Sequence, residues 1–480
     1  MIDVTVVGSG PNGLAAAVTM ARAGLEVRLV ERASTLGGGL QTSELTLPGY
    51  RHDVCSAIHP AALASEFFRA FELTRRVEFL IPEISYAHPL DGEQAGIAYR
   101  DLGRTAAELG ADGAAFTRLL TPLIERLDGL VDFTGSQLLR LPRDPLAVLG
   151  YGLRVLEQGS PLWNLRFRGP VAPALLTGVA AHSSSGLPSL AAAGAGLLLA
   201  AHAHAAGWGF PRGGSQAIAD ALADDFRTHG GHVQTDHEVR SRADLEPSRV
   251  TILDTSPRFL RAYAGDALPA GYAARLARFR YGAGVAKVDF ALSGPVPWSN
   301  AEVRRSPTVH LGGTRHQIAR AESEIGSGRI PRSPYVLVAQ PSVLDDTRAP
   351  TGHHVLWAYT HVPANSDFDA TEVITTQVER SAPGFRDLIL ASSSMSARQL
   401  ARHNPNDVGG DILGGSLGLW QLIKRPVLST RPWKTPLAGV YLCSASTPPG
   451  PAVHGMNGWH AARLALRDEF GITDPPRLGL

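Results

Sequence analysis

The chain has 480 residues, 44% of them hydrophobic, with 45 basic and 44 acidic side chains and a formal net charge of +1. That length predicts two intertwined domains rather than one simple core, and the even charge balance excludes the global positive field of a nucleic-acid binder. The only cysteines are Cys55 and Cys443, which excludes a disulfide scaffold and predicts free thiols in a reducing, cytoplasmic setting.

In chain order, residues 4–7 are apolar and read as a buried strand. The turn Gly8-Ser9-Gly10-Pro11-Asn12-Gly13 follows, then a helix, then a second strand ending on Glu31-Arg32. Gly8 turns the chain off the strand, Gly10 leaves room for a pyrophosphate, and Gly13 lets helix and sheet pack closely. The helix N-terminus at Pro11 and Asn12 offers N–H groups and a positive dipole to a diphosphate. Glu31 stands where an acid accepts hydrogen bonds from ribose hydroxyls, and its charge disfavours the 2′-phosphate of NADP. The chain enters the first strand directly, which predicts no secretory leader.

From about 105 to 205 the pattern is helical. Leu109, Phe116, Leu119, Leu120, Leu123, Ile124 and Leu127 recur mostly at three and four. Pro142, Pro145, Pro161, Pro170 and Pro188 then cut the region into shorter pieces. The apolar run over 190–201 is too short to span a bilayer and is expected as a buried helix. The turn Phe210-Pro211-Arg212-Gly213-Gly214-Ser215 leads to a helix over 217–228, a strand pattern over 232–239 and another strand at 250–254. From 283 to 424 alternation at period two dominates, as in 285–292 and 355–362. The last stretch carries a strand before Ser444, a glycine-containing turn and a helix over 458–468.

Glu31, five residues, then Gly37-Gly38-Gly39 resembles FAD enzymes of the amine oxidase and phytoene desaturase superfamily. Residues 210–215 resemble that family's Pro-x-Gly-Gly turn. Val309-His310-Leu311-Gly312-Gly313, Gln340-Pro341-Ser342, Arg348-Ala349-Pro350 and Asn406-Asp407-Val408-Gly409-Gly410 resemble the phytoene dehydrogenase-related oxidoreductases. Residues 441–459 resemble the C-terminal flavin segment, so the likeness covers nearly the whole chain. It implies an α/β fold: a Rossmann-type FAD-binding domain from 1–80, 206–282 and 425–480, with a mostly helical substrate or lid region over 81–205. An interleaved α+β, strand-rich substrate domain is expected over 283–424. FAD is then expected against Gly8, Gly10, Pro11, Asn12, Gly13, Glu31, Arg32, Gly37, Gly38, Gly39, His59, Val239, Ser444, Val453 and His454. Two positions depart from the family. Gly39 stands where many relatives carry an arginine at the diphosphate, leaving Arg32 as a candidate. Pro451-Ala452 stand where Gly-Gly is usual.

A flavin carries the redox step while the protein supplies position and electrostatics. The resemblance implies hydride abstraction, a desaturation or dehydrogenation, from a largely apolar small molecule, with oxygen or a quinone as acceptor. The catalytic candidates are Lys287, His454 and Tyr359. Lys287 matches a lysine that in flavin amine oxidases holds a water near N5; the competing reading pairs it with Asp289 or turns it to solvent. His454 precedes the last helix and is read as a flavin contact or as a packed turn histidine. Trp357, Tyr359 and His361 share a strand face that suits either a substrate wall, with Trp208 and Phe210, or plain core. The rival functions are a redox-neutral isomerase or cyclase of a polyene-like substrate, an amine oxidase, and a flavin-holding protein without catalysis. Peripheral membrane contact by the helical middle is a further expectation; a metal site and a nucleic-acid partner are not expected.

Overall fold

The structure, a computed structural model, describes residues 2–480. A five-stranded parallel sheet runs in the order Val440–Leu442, Val250–Leu253, Val4–Val7, Val27–Val30, His232–Gln234. Four of its strands are buried almost throughout, as a parallel sheet covered on both faces requires, and the edge strand His232–Gln234 is largely exposed. The helices Pro11–Arg22, Gln216–Thr228 and Met456–Phe470 supply one cover, packing Leu14, Val18, Leu222 and Ala465 against Val6 and Ile252. The first and last helices touch closely enough that a Cβ on Gly458 would overlap the Asn12 carbonyl. Three separate stretches of chain therefore build this one lobe.

A seven-stranded mixed sheet forms the second layer, in the order Ile389–Met395, Gly284–Leu292, His354–Val362, Val336–Ala339, Thr308–Leu311, Ile84–Pro89, Ala95–Tyr99. Its period-two pattern sorts the two faces. Ala286, Val288, Phe290, Leu356 and Ala358 point into an apolar core with Ile374 and Val378 of the Thr371–Ser381 helix. Lys287, Asp289, Trp357, Tyr359 and His361 share the opposite face, with Lys287 beside Tyr359 and Asp289 beside Trp357 in register.

Three local readings change. Residues 84–89 and 95–99 are strands of this second sheet, so the helical region starts after them. The helical stretch expected from 108 to 127 is broken: Gly110 takes φ 55 and Arg126 is non-helical at φ −118, ψ 25. The strand at 232 stops at Gln234 because Asp236 turns left-handed at φ 55, and Val239 is thereby carried to the cofactor side. The 190–201 run lies in the buried helix Leu190–Ala205, packed against Leu119, Leu123 and Leu175.

Candidate dinucleotide and substrate cavity

Gly8 has φ +95, and a Cβ there would come within 2.9 Å of the Asp254 carbonyl oxygen. A Cβ on Gly13 would overlap the Gly8 carbonyl, so helix and turn close on each other as the motif demands. The helix Pro11–Arg22 has no side-chain cap and begins with proline, which leaves its positive end to an anion. Glu31 is held rigidly: Ser9 N–H and Oγ–H donate to Oε2 at 2.9 and 2.7 Å, and Ala33 N–H donates to Oε1 at 2.8 Å. Gly37 does not line the cavity; its N–H donates to the Ser9 carbonyl at 3.1 Å and closes the second glycine element onto the first. Gly13 is likewise a packing residue behind the wall, whereas Gly8, Gly10, Pro11, Asn12, Gly38 and Gly39 line it.

The sequence reading missed Asp254. This buried carboxyl lines the cavity beside the turn and takes the Gly13 N–H at 2.9 Å. Burial raises it to about 7, with Glu31 adding to the rise and the Gly13 N–H opposing it. A protonated Asp254 leaves the turn compatible with a diphosphate. Arg32 also lines the cavity, but its guanidinium bonds to the His403 carbonyl at the rim. The helix terminus, rather than a lysine or arginine bonded to the turn, is thus the positive feature of this end.

Two segments form the middle of the cavity. The first runs from Cys55 to Pro60, the second from Ser444 to His454, and Val239 also lines the cavity beside Glu238. Asp53 anchors the first segment. It accepts from Thr42 Oγ–H and Ser215 N–H, each at 2.8 Å, and from Arg348. His59 lines the cavity with Nε2 2.8 Å from Ser215 Oγ, and burial lowers it to about 4, so it is neutral. Asn457 anchors the second segment, donating to the Ser444 and Thr447 carbonyls at 3.0 and 2.8 Å. His454 lines the cavity and is fixed in place. Its Nδ1 accepts the Met456 N–H at 3.1 Å, its carbonyl accepts from Ser65 Oγ–H at 2.5 Å, and burial lowers it to about 4. Val453 beside it also lines the wall. Ala452 keeps a glycine-like backbone at φ 151.

Lys287 is corrected by its contacts. It does not line the cavity. Its ammonium lies 2.8 Å from Asp289 Oδ2 and donates to the Val54 and Asp53 carbonyls at 2.8 and 3.3 Å. A buried ammonium is tolerable only with such partners. The side chain therefore pins the Asp53–Val54 backbone to the sheet, behind the segment that faces the cavity. The pairing with Asp289 is the competing reading of the sequence. The contacts with the Asp53 and Val54 carbonyls are not revealed by spacing or alternation, because that backbone lies more than two hundred residues away.

Beyond this middle the cavity, about 1070 Å³ in all, widens into an apolar and aromatic chamber. Trp357 and Tyr359 form one wall, His182 and Trp208 another. Leu190, Ala191, Gly194 and Leu198 come from the buried helix, and Val148, Tyr151 and Val155 from the helix Pro145–Gln158. His361 and Phe210 are not part of the lining. The volume lies just above the range of about 300–1,000 Å³ for single-ligand sites, so the one continuous space has room for more than one small ligand.

A family described as an NAD(P)-binding Rossmann-like domain matches residues 6–72. A rat protein named pyridine nucleotide-disulfide oxidoreductase domain-containing protein 2 is 24% identical, the alignment covering 97% of this chain and 93% of the other. Phytoene dehydrogenase of Streptomyces griseus is 26% identical over 75% of this chain and 73% of its own length. Over most of its length the chain is thus similar to proteins named as oxidoreductases, a phytoene dehydrogenase among them. Among solved structures, cyclohexylamine oxidase from Brevibacterium oxydans superposes with a TM-score of 0.58 at 15% identity, covering 97% of both chains. That likeness establishes a shared fold: a Rossmann-like lobe joined to a mixed-sheet domain. No helix among the described residues is long and apolar enough to cross a membrane.

Proposed function

We propose that the protein binds FAD and oxidises a largely apolar small molecule by hydride abstraction. The observation that carries this reading is the continuity of the cavity. The glycine turn, the 55–60 segment, the 444–454 loop and the aromatic chamber open into one space. Glu31 and the helix N-terminus suit the ribose and diphosphate, while Val453 and His454 suit the ring end. Bound FAD would supply a two-electron acceptor, regenerated by oxygen or a quinone. The chain's own part is to clamp the cofactor between the Asp53- and Asn457-anchored segments and to hold substrate in a chamber lined mostly by apolar groups. His59 and His454 are neutral, so their role is contact and positioning rather than acid catalysis.

Purified protein should release close to one FAD per chain on denaturation, and Gly10→Glu should abolish it. Isolation with NAD alone, or FAD that dithionite cannot reduce, would sink the proposal. Turnover of a polyene without consumption of any acceptor would favour the isomerase instead, and release of peroxide with an aldehyde the amine oxidase.

The chamber's outer wall supports peripheral lipid contact. On the helix Pro145–Gln158, Leu146, Leu149, Leu153 and Leu156 are 64, 61, 59 and 54% exposed and fall on one face. Leu141 and Leu165, in the segments before and after this helix, are 91 and 78% exposed. An apolar stripe of this size marks an interaction surface. The helix's inner face lines the chamber, so a bilayer on its outer face lies next to the space that takes an apolar substrate. Wild-type protein should co-sediment with anionic lipid vesicles and Leu149→Ser/Leu153→Ser should not. Formation of a dimer that the same substitutions dissociate would assign the patch to a second copy instead.

A further inference from the structure

The cavity-facing side of the mixed sheet carries more polar chemistry than an apolar chamber needs. Thr308 and His310, Leu337 and Ala339, and Trp357, Tyr359 and His361 share this face through their strand pairings. Most of the histidines are already engaged behind the wall. His361 Nδ1 lies 2.8 Å from Glu322 Oε1, and its Nε2 lies 2.9 Å from Ser184 Oγ. His310 Nε2 lies 2.8 Å from His182 Nε2. The Tyr335 ring stacks on both His310 and His361, at 6.1 and 5.5 Å, and ties the two arms together.

The polar tips on the cavity side with no protein hydrogen-bond partner among the described residues include the Tyr359 hydroxyl and His182 Nδ1. Thr308 Oγ1 and Trp357 Nε1 of the same wall are unpartnered too, but those atoms are shielded from the open space. Tyr359 and His182 both line the cavity, and Tyr359 is only 5% exposed. A hydroxyl as deep as that of Tyr359 normally has a partner. In the layer behind, His361 is bonded through both ring nitrogens and His310 through Nε2, while His310 Nδ1 is itself unpartnered. The tautomers narrow what fits. Burial keeps His182 and His310 neutral, so one donates to the other across their shared contact. His182 Nδ1 is a donor in one arrangement and an acceptor in the other, while the phenol can donate or accept. Neither tip carries charge. The pair therefore matches a hydroxyl or a carbonyl oxygen and offers no counter-charge to a carboxylate or an ammonium ion.

We propose that Tyr359 and His182 form a subsite for the neutral oxygen-bearing end of an otherwise apolar substrate. The substrate's chain lies along Leu190, Gly194 and Leu198. Glu322, Ser184 and His310 are positioning residues that hold His361 and His182. This inference rests on the proposed apolar substrate and adds a polar terminus to it.

The test uses matched fifteen-carbon probes: farnesol, farnesal and the hydrocarbon farnesene. Each is titrated into the purified full-length protein, with tryptophan fluorescence and the flavin spectrum as readouts. Farnesol and farnesal should bind about tenfold more tightly than farnesene. Tyr359→Phe and His182→Leu should each erase most of that preference, bringing farnesol and farnesal to within about twofold of farnesene measured on the same variant. Equal binding of the three probes to wild type, no binding of farnesol, or a preference that survives both substitutions would overturn the subsite. If His182→Leu does not fold, Tyr359→Phe, which keeps the ring, decides alone. Flavin content is measured on the same samples. Lost preference with FAD present overturns only the subsite; absence of FAD from the wild type overturns the proposed function.

Discussion

Asp254 places a carboxyl beside a turn whose shape suits a doubly charged diphosphate, and its protonation state decides whether the two are compatible. Burial raises it from 3.8 to about 7, so above about pH 4 the folded chain holds a proton that the unfolded chain has released. Stability falls as pH rises from about 4 to 7 and levels off beyond. Asp254→Asn keeps an acceptor for the Gly13 N–H without the charge. Its melting temperature at pH 8 should equal or exceed wild type. Cofactor retention in wild type should weaken between pH 6 and 8, whereas in Asp254→Asn it should stay flat; equal slopes in dialysis would refute the assignment. Ala452 is a second local tension. A non-glycine residue at φ 151 carries strain of roughly 1–3 kcal/mol. Ala452→Gly should therefore raise stability by about 1 kcal/mol, net of the extra freedom glycine gains in the unfolded chain. Denaturant melts with an unchanged or lower midpoint would count against it.

At the scale of elements, Lys287 and Asp289 bind a strand of one domain to the backbone of the other. Lys287→Met strands the buried Asp289 carboxylate beside His52, whose Nδ1 lies 3.7 Å from it. Loss of one partner of a buried pair costs about 3–5 kcal/mol. Lys287→Met/Asp289→Leu should recover a large part of that loss in a double-mutant cycle read by urea melts; strict additivity would show that the pair does not couple. The contrast with the glycine turn explains what the sequence discloses. The strand–turn–helix–strand unit is legible because Gly8, Gly10 and Gly13 answer steric demands made within a few residues of themselves. The alternation at 285–292 and 355–362 is legible because a sheet sorts side chains two by two. Asp254, Asp53 with Arg348, and Lys287 with Val54 are not legible. Each depends on a partner more than two hundred residues away, and the short-range pattern carries no trace of it. The helical region misleads for a related reason: Gly110 and Arg126 break a run whose apolar spacing alone reads as continuous.

For the whole molecule, the two sheets and the helical cap share one cavity, so cofactor and fold are thermodynamically linked. Cofactor at 100 times its dissociation constant should add about 2.7 kcal/mol to stability and raise the melting temperature in one step. A chain cut after residue 424 lacks the edge strand Val440–Leu442 and the helix Met456–Phe470 that covers the first helix. It should be insoluble or molten by near-ultraviolet circular dichroism; a sharp cooperative melt from this fragment would show that the lobe does not need its last segment.

That last segment has a consequence for biosynthesis. The strand pairing with Val250–Leu253 is made nearly two hundred residues after it. Until it leaves the ribosome, the Val250–Leu253 edge stands unpaired and the cofactor cleft lacks the wall that carries Ser444, Val453 and His454. The growing chain cannot close this cleft until residues 440–470 have been made. Any cofactor must wait for that segment, and in the interval the open β edge is a part of the nascent protein in need of protection.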